Sequence, residues 1–343
     1  MCLSRSSMIR RLLHVGIAPV VAAALAVGLA ACGVENGSGG GSDGGGGDDF
    51  PSKSIELTAP SSAGGSTDLI SRALAKAAEK PFGQSVVVVN KEGANGAVGG
   101  KEVLNSKPDG HKMVLLPQSL FAIGPLLEQE SGAIDLADMS YVAGLTVEDY
   151  VMTVPASSKV KSIDDLVKTA PLTFGTTGAG TGSQLAQALL FASAKAKATD
   201  VPFDGGAELI TALLGKQVDV GTNQIAEAAS QIKAGKLRPI AVFAARRIES
   251  LPDVKTAKEQ GFDIVVNQRR WIAAPKDVPK DVVASLRKSV ATASQDPAFK
   301  SFLKDNYISA WDIEPDQVKT EVETARTEYA DLAKQFGVKL AAD

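Results

Sequence analysis

Cysteine is nearly missing from this 343-residue chain: Cys2 and Cys32 are the only two, both close to the start. The body that follows therefore has no disulfide, no free thiol and no zinc cluster of the cysteine type. Histidine is as scarce, and His111 is the only one beyond the first segment. That excludes a histidine-rich metal site and leaves a single candidate base of that type for acid–base chemistry. Neither sign of charge dominates, with 36 Lys and Arg against 39 Asp and Glu. Setting aside Arg5, Arg10 and Arg11 tips the balance further towards acid, which argues against a general nucleic-acid surface. Aromatic residues make up only 5% of the chain, and Ala, Gly, Val and Leu dominate, as in many α/β proteins. After Leu29 there is no apolar run long enough to span a bilayer.

What is present at the start reads as an address. A positive beginning (Arg5, Arg10, Arg11) precedes an apolar run from Leu12 to Leu29 and then small residues, the pattern of a secretory signal. Leu29-Ala30-Ala31-Cys32 resembles the bacterial lipobox, in which the cysteine becomes the lipidated N-terminus. Residues 1–32 are thus expected to be a signal peptide, with Cys32 the lipidation site. Residues 33–49, almost wholly Gly, Ser, Asn and Asp, cannot bury a core and form a flexible tether with a reach of about 20–25 Å. The expected location is outside the cytoplasmic membrane, lipid-anchored on its outer face.

The body from Phe50 to Asp343 is long for one core and suits two lobes of about 120–170 residues each. β-rich runs alternate with helical patterns, which predicts βαβ units and a largely parallel sheet. Strands are expected at Ile55–Ala59, Val86–Asn90, Met113–Pro117 and Tyr150–Val154, the last crossing to a second lobe. Helices are expected at Thr67–Lys80 and Gly96–Asn105. The second lobe repeats the alternation, with strands at Leu172–Gly175, Val218–Gly221 and Pro239–Ala244 and helices at Gly182–Lys195, Gly206–Leu214 and Gln224–Ala234. Ile264–Val266 and Trp271–Ala274 lead back. Helices near Lys280–Ser294, Pro297–Asn306 and Pro315–Phe336 close the chain, the last packing on lobe one through Val318, Val322, Ala325, Tyr329 and Leu332. The expected division is 50–149 with 270–343 for one lobe and 150–269 for the other.

Two segments echo one another. Leu57 to Thr67 and Leu172 to Ser183 each run from a strand through tiny residues into a helix start. A helix N-terminus has unpaired N–H groups and a partial positive charge, and glycines admit a ligand close to the backbone. Each loop is thus a candidate carboxylate or phosphate site, and Phe203-Asp204-Gly205-Gly206 makes a third. A nucleotide site fits poorly, because no Lys follows the glycines and the P-loop spacing is absent. A serine hydrolase would need His111 as its base, yet no Gly-x-Ser-x-Gly elbow is present and His111 follows a Pro-Asp-Gly turn that should leave it exposed. Of the pair Arg269 and Arg270, next to the returning strand, Arg269 is preferred as a bidentate partner for a carboxylate. Trp271 reads as core. Gly65→Val or Gly182→Val is expected to abolish binding with the fold near intact.

Taken together these features resemble the substrate-binding proteins of the tripartite tricarboxylate transporter family. The likeness rests on Pro51-Ser52-Lys53-Ser54-Ile55, the loop Pro60 to Asp68, Asn90 to Gly96, Pro108-Asp109-Gly110, Val201 to Gly206, Gly215 to Asp219, Ile232 to Arg238 and Leu251 to Val254, in that order. It implies an α/β, two-lobe, flytrap-like periplasmic-binding-protein fold of type II with a ligand cleft between the lobes. It also implies a small carboxylate ligand such as citrate, a dicarboxylate or an acidic amino acid. By the same likeness the ligand lies among Ser62, Ala63, Gly64, Gly65, Ser66, Thr67 and Asp68; Gln118 and Ser119; Thr176, Thr177, Gly178, Thr181, Gly182 and Ser183; Phe203, Asp204, Gly205 and Gly206; and Thr222, Asn223 and Gln224. The partners implied are a large and a small membrane subunit driven by an ion gradient. No catalysis, cofactor or metal is expected, and the chain should act as a monomer. The other roles weighed are presenting a ligand to a membrane sensor and binding a ligand that is not a carboxylate. Four features depart from the family pattern: Asp204, which would repel a carboxylate unless it caps the next helix or pairs an ammonium group; Gln184, where histidine is common; His111, in place of an aromatic; and Gln268-Arg269-Arg270-Trp271, unlike the usual Trp-containing form.

Overall fold

The computed structural model describes residues 50–127, 134–249 and 251–339. The expected signal peptide, lipobox cysteine and tether lie outside them. In chain order the first elements are β1 (Ile55–Ala59), α1 (Ser66–Phe82), β2 (Val86–Asn90), α2 (Ala97–Leu104), β3 (Lys112–Pro117), α3 (Ser119–Ala122), α4 (Gly124–Leu127) and β4 (Met139–Pro155). Then come α5 (Ile163–Lys168), β5 (Leu172–Thr176), α6 (Gly182–Ser193), β6 (Ala198–Pro202), α7 (Gly206–Leu214), β7 (Val220–Gln224), α8 (Ile225–Lys233) and β8 (Leu237–Val242). The chain returns through β9 (Asn267–Pro275) and ends with α9 (Lys280–Ser294), α10 (Pro297–Asp305), β10 (Ser309–Ala310) and α11 (Val318–Phe336).

The strands form one sheet in the order β2-β1-β3-β9-β4-β7-β5-β6, with β8 and β10 also pairing β4. β1 is parallel to both β2 and β3, so α1 and α2 cross over between them. From Met113 onward β3 is buried, which is why Met-Val-Leu-Leu reads as an unbroken apolar run and not an alternation. β4 ties the two halves of the sheet together. Its first part, Met139 to Asp149, is antiparallel to β9, and its second part, Tyr150 to Pro155, is antiparallel to β7 and β8. Only the second part was expected, because Gly144 and the pair Glu148-Asp149 break the sequence signal of a strand. Of the two segments expected to lead back, Trp271–Ala274 lies in β9 and Ile264–Val266 forms no strand. Polar, half-exposed β6 went unread.

The core follows the apolar stripes. Ile70, Leu74 and Ala78 of α1 pack with Leu286, Val290 and Ala293 of α9 over β1 and β3. α1 stops where expected for a glycine: Gly83 has φ +65° and its N–H reaches the Lys80 carbonyl at 3.2 Å. Trp271 is fully buried, 5.2 Å from the Phe121 ring, and is core as expected. α11 buries Val318, Val322, Ala325 and Tyr329, with Ala333 in place of half-exposed Leu332. It packs on α3 and also on α6, so it touches both halves, not the first alone. His111 is not the exposed turn residue expected. Its ring stands edge-on to Phe50 at 5.0 Å, its side chain is 11% exposed, and it sits at the end of β3 opposite to Pro117.

Candidate ligand-binding cleft

Three helix starts meet at one cleft. α1, α6 and α7 follow the C-terminal ends of β1, β5 and β6 through loops of small residues. Those loops, with the turn at Glu92 to Gly96 and with Pro117 and Ser119, enclose about 460 Å³. The N-cap residues Gly65, Thr181 and Gly205 give no side-chain cap, so no N-cap side chain satisfies the first N–H groups of these helices. The halves touch across it: Ser62 Oγ donates to the Asp204 carbonyl at 3.3 Å, and Asn95 Nδ2 to the Gly180 carbonyl at 2.8 Å.

The α6 loop is braced from within. Ser183 Oγ lies 2.9 Å from both Thr177 N and Thr177 Oγ1 and 2.8 Å from Thr181 Oγ1. Gln184, at the position where histidine was the family expectation, accepts from Gly180 N at 2.9 Å and donates to Asp200 at 2.7 Å. A loop held this way is preorganised for a ligand, which reduces the ordering cost of binding.

The floor of the cleft is ionic. Glu148, fully buried on β4, accepts from Arg270 Nη1 and Ser66 Oγ at short range and from Ala226 N at 3.4 Å. Arg270 Nε also donates to Thr67 Oγ1 at 3.0 Å. One turn into α8, Glu227 accepts from Ser66 N and Asn223 Nδ2, both at 3.2 Å. With its amide oriented to satisfy both neighbours, Gln224 donates to Glu227 at 2.8 Å and accepts from Arg270 Nη2 at 3.3 Å. Desolvation pushes the Glu227 carboxyl up to about 7; its hydrogen bonds from Ser66 and Asn223 oppose the shift, Glu148 adds to it and Arg270 opposes it. The sign for stability follows from a folded value above the ordinary 4.5. The contribution is fully present below pH about 4.5 and is lost as pH rises to about 7. Glu227→Gln should therefore gain melting temperature relative to the parent between pH 4.5 and 8 in calorimetry. An unchanged difference across that range would show an ordinary carboxyl.

Most of the residues expected from the sequence line the cleft: Ser62, Gly65, Ser66, Thr67, Ser119, Thr177, Gly178, Thr181, Phe203, Asp204, Gly205 and Gly206. Others stand behind them. Asp68 takes the Gly64 N–H at 2.9 Å and the Asn90 amide at 2.9 Å, while Arg72 beside it and these bonds hold its carboxyl below the usual range against desolvation. Gln118, Thr176, Gly182, Thr222 and Asn223 are buried and outside the lining, and Ala63 is exposed and also outside it. Arg269 is placed elsewhere altogether. Neighbours along a strand face opposite ways, so Arg270 turns to the cleft floor while Arg269 meets Glu321 at 3.6 Å and the Trp311 ring at 5.6 Å. Asp204 does not cap α7; its side chain lines the cleft, and Glu208 takes its N–H at 3.2 Å. A Cβ on Gly182 would lie 2.4 Å from the buried Tyr150 ring, so Gly182→Val would damage packing as well as the loop, contrary to expectation.

Sequence reasoning missed Glu227 and Glu148, whereas Gln224, expected at the site, does line the cleft. An acid in the first turn of a helix reads as a routine partner of the helix dipole, and a Glu in mid-strand gave no signal of its own. Strand alternation from a core Trp271 would have separated Arg270 from Arg269.

A sheet in two halves sharing strands, with a cleft between them at the strands' carboxyl ends, defines a two-lobe periplasmic binding protein. Over residues 70–337 the sequence matches the tripartite tricarboxylate transporter family receptor, and the chain belongs to that family. It is 32% identical over 259 residues to the UPF0065 protein in the TAR-I ttuE-ttuC' intergenic region of Agrobacterium vitis, covering 73% of this chain and 74% of that one. The periplasmic binding protein BugD superposes with a TM-score of 0.78 at 27% identity, over 84% of this chain and 99% of BugD. MatC of Rhodopseudomonas palustris with bound malate superposes at 0.74 and 25% identity, over 82% and 99% of the two chains.

Proposed function

We propose that this protein is a lipid-anchored, extracytoplasmic receptor that closes on a small carboxylate-bearing solute and passes it to the membrane subunits of a tripartite tricarboxylate-type transporter. Its lobes are 50–149 with 270–343, and 150–269. The observation that carries the reading is the convergence of three helix starts without N-cap side chains on one cleft. Contacts from both halves make closure and binding one event, since a ligand touching both favours the closed form. The malate held by MatC supports the ligand class.

A thermal-shift screen against mono-, di- and tricarboxylates and amino acids tests it. At one hundred times the dissociation constant a ligand adds about 2.7 kcal/mol of stability, so the melting temperature must rise with one class. No shift with any carboxylate would refute the ligand reading. The anchor is tested separately: Cys32→Ser should move the protein from the membrane pellet to the soluble fraction, and persistence in the pellet would refute lipidation at Cys32.

A further inference from the structure

Acidic side chains outnumber basic ones in the cleft. Among the described residues none of its lining side chains is a Lys, Arg or His, whereas Glu92, Asp204 and Glu227 are all part of it. Glu92 and Asp204 are exposed at the mouth, and Glu227 is part-buried on the floor. The nearest guanidinium, Arg270, is 1% exposed and engaged by Glu148, Thr67 and Gln224. Of the three helix starts, α1 is already served, because Ser66 N–H donates to Glu227 itself. Two starts remain for a ligand anion, those of α6 and α7. The same Glu227 carboxyl also lies close against Gly206, the first residue of α7.

We propose that the ligand is a zwitterion, whose carboxylate lies at the starts of α6 and α7 and whose ammonium group pairs with Glu227, with Asp204 drawing it in at the mouth. This rests on the cleft being the ligand site, as proposed above. Two arrangements could reconcile Glu227 with an organic acid: the ligand brings a cation, or Glu227 keeps a proton and donates it. The surroundings favour the first. Ser66 N, Asn223 Nδ2 and Gln224 all donate to the two Glu227 oxygens, which suits a carboxylate and not a hydroxyl-bearing acid. About four acceptor positions less these donors leaves room for one more donor from the cleft. The charged groups facing Glu227 are Glu148 from β4 and Arg270 from β9, which pair with each other and so leave its charge unanswered. A plain dicarboxylate would place a second anion against it; an ammonium group would neutralise it.

The test is titration calorimetry at pH 8 with matched pairs differing only in the amino group: alanine and propionate, aspartate and succinate, glutamate and glutarate, 2-aminoadipate and adipate. Parent and Glu227→Gln are compared, with a melting curve for each to show that both are folded. The glutamine retains the shape and an acceptor for Ser66 N–H. At least one amino compound is expected to bind the parent tenfold or more tightly than its partner acid. Glu227→Gln should weaken that compound at least tenfold and bring the two members of the pair within about threefold of each other, roughly 0.7 kcal/mol at RT of 0.59 kcal/mol. A parent that binds the plain acid as well or better overturns the zwitterion and leaves the proposed function standing. So does binding of plain acids only as pH falls below about 7, with uptake of a proton, which would make Glu227 a donor. A preference that survives in Glu227→Gln removes Glu227 from the recognition. If no member of any pair binds, the proposed function falls and the zwitterion with it.

Discussion

Replacing Arg270 with methionine should lower the stability of the protein by about 3–5 kcal/mol near neutral pH. The change leaves Glu148 fully buried with only Ser66 Oγ and the distant Ala226 N–H as partners. A buried carboxylate without its counter-ion can relieve itself by taking a proton, so the loss should shrink as pH is lowered. The paired change Arg270→Met with Glu148→Met removes both charges, and such replacements are commonly near neutral. Urea unfolding of the two single variants and the double variant measures the coupling directly. A single-variant loss below about 1 kcal/mol would mean that the pair is no more than a surface-type contact. Because Glu148 also holds Ser66 at the start of α1, ligand affinity should fall together with stability.

Gly206→Ala should cost both folding and binding. The added Cβ would lie 2.1 Å from Glu227 Oε2, so the carboxylate has to move. Moving it breaks its bonds to Ser66 N, Asn223 and Gln224 together. Each bond is worth about 0.5–1.5 kcal/mol, which sets an expected loss of affinity of tenfold or more through displacement of the cleft floor. The check is a cycle with Glu227→Ala. In that background the clashing atoms are gone, and the alanine at 206 should have little further effect on melting temperature. An equally large loss there would place the damage in the α7 backbone instead.

Much of the fold was legible because its signals are local. The strand at Val86–Asn90 is a run of four valines, and α1 is bounded by a loop of tiny residues and by Gly83. The cleft loops were legible for the same reason, since glycines and hydroxyl residues before an amphipathic helix are a pattern within one stretch of chain. The ionic floor is not of that kind. Glu148, Glu227, Arg270 and Ser66 come from β4, α8, β9 and α1, and only the sheet brings them together. Arg269 was chosen over Arg270 because sequence proximity to a crossing segment does not fix which face a residue takes. The strand order, and through it the role of β4 as a member of both halves, is a long-range property that no window of sequence contains.

The shared strands also bear on how the chain comes to be folded. β9 lies between β3 and β4 and pairs with both, so residues 267–275 complete a sheet begun at residue 55. The first half therefore cannot close until residues 267–275 are available to the sheet. Pairings so distant in sequence are slow to form. Until β9 inserts, β3 and the first part of β4 present open edges, and it is in that interval that the chain is most exposed to mispairing with its neighbours.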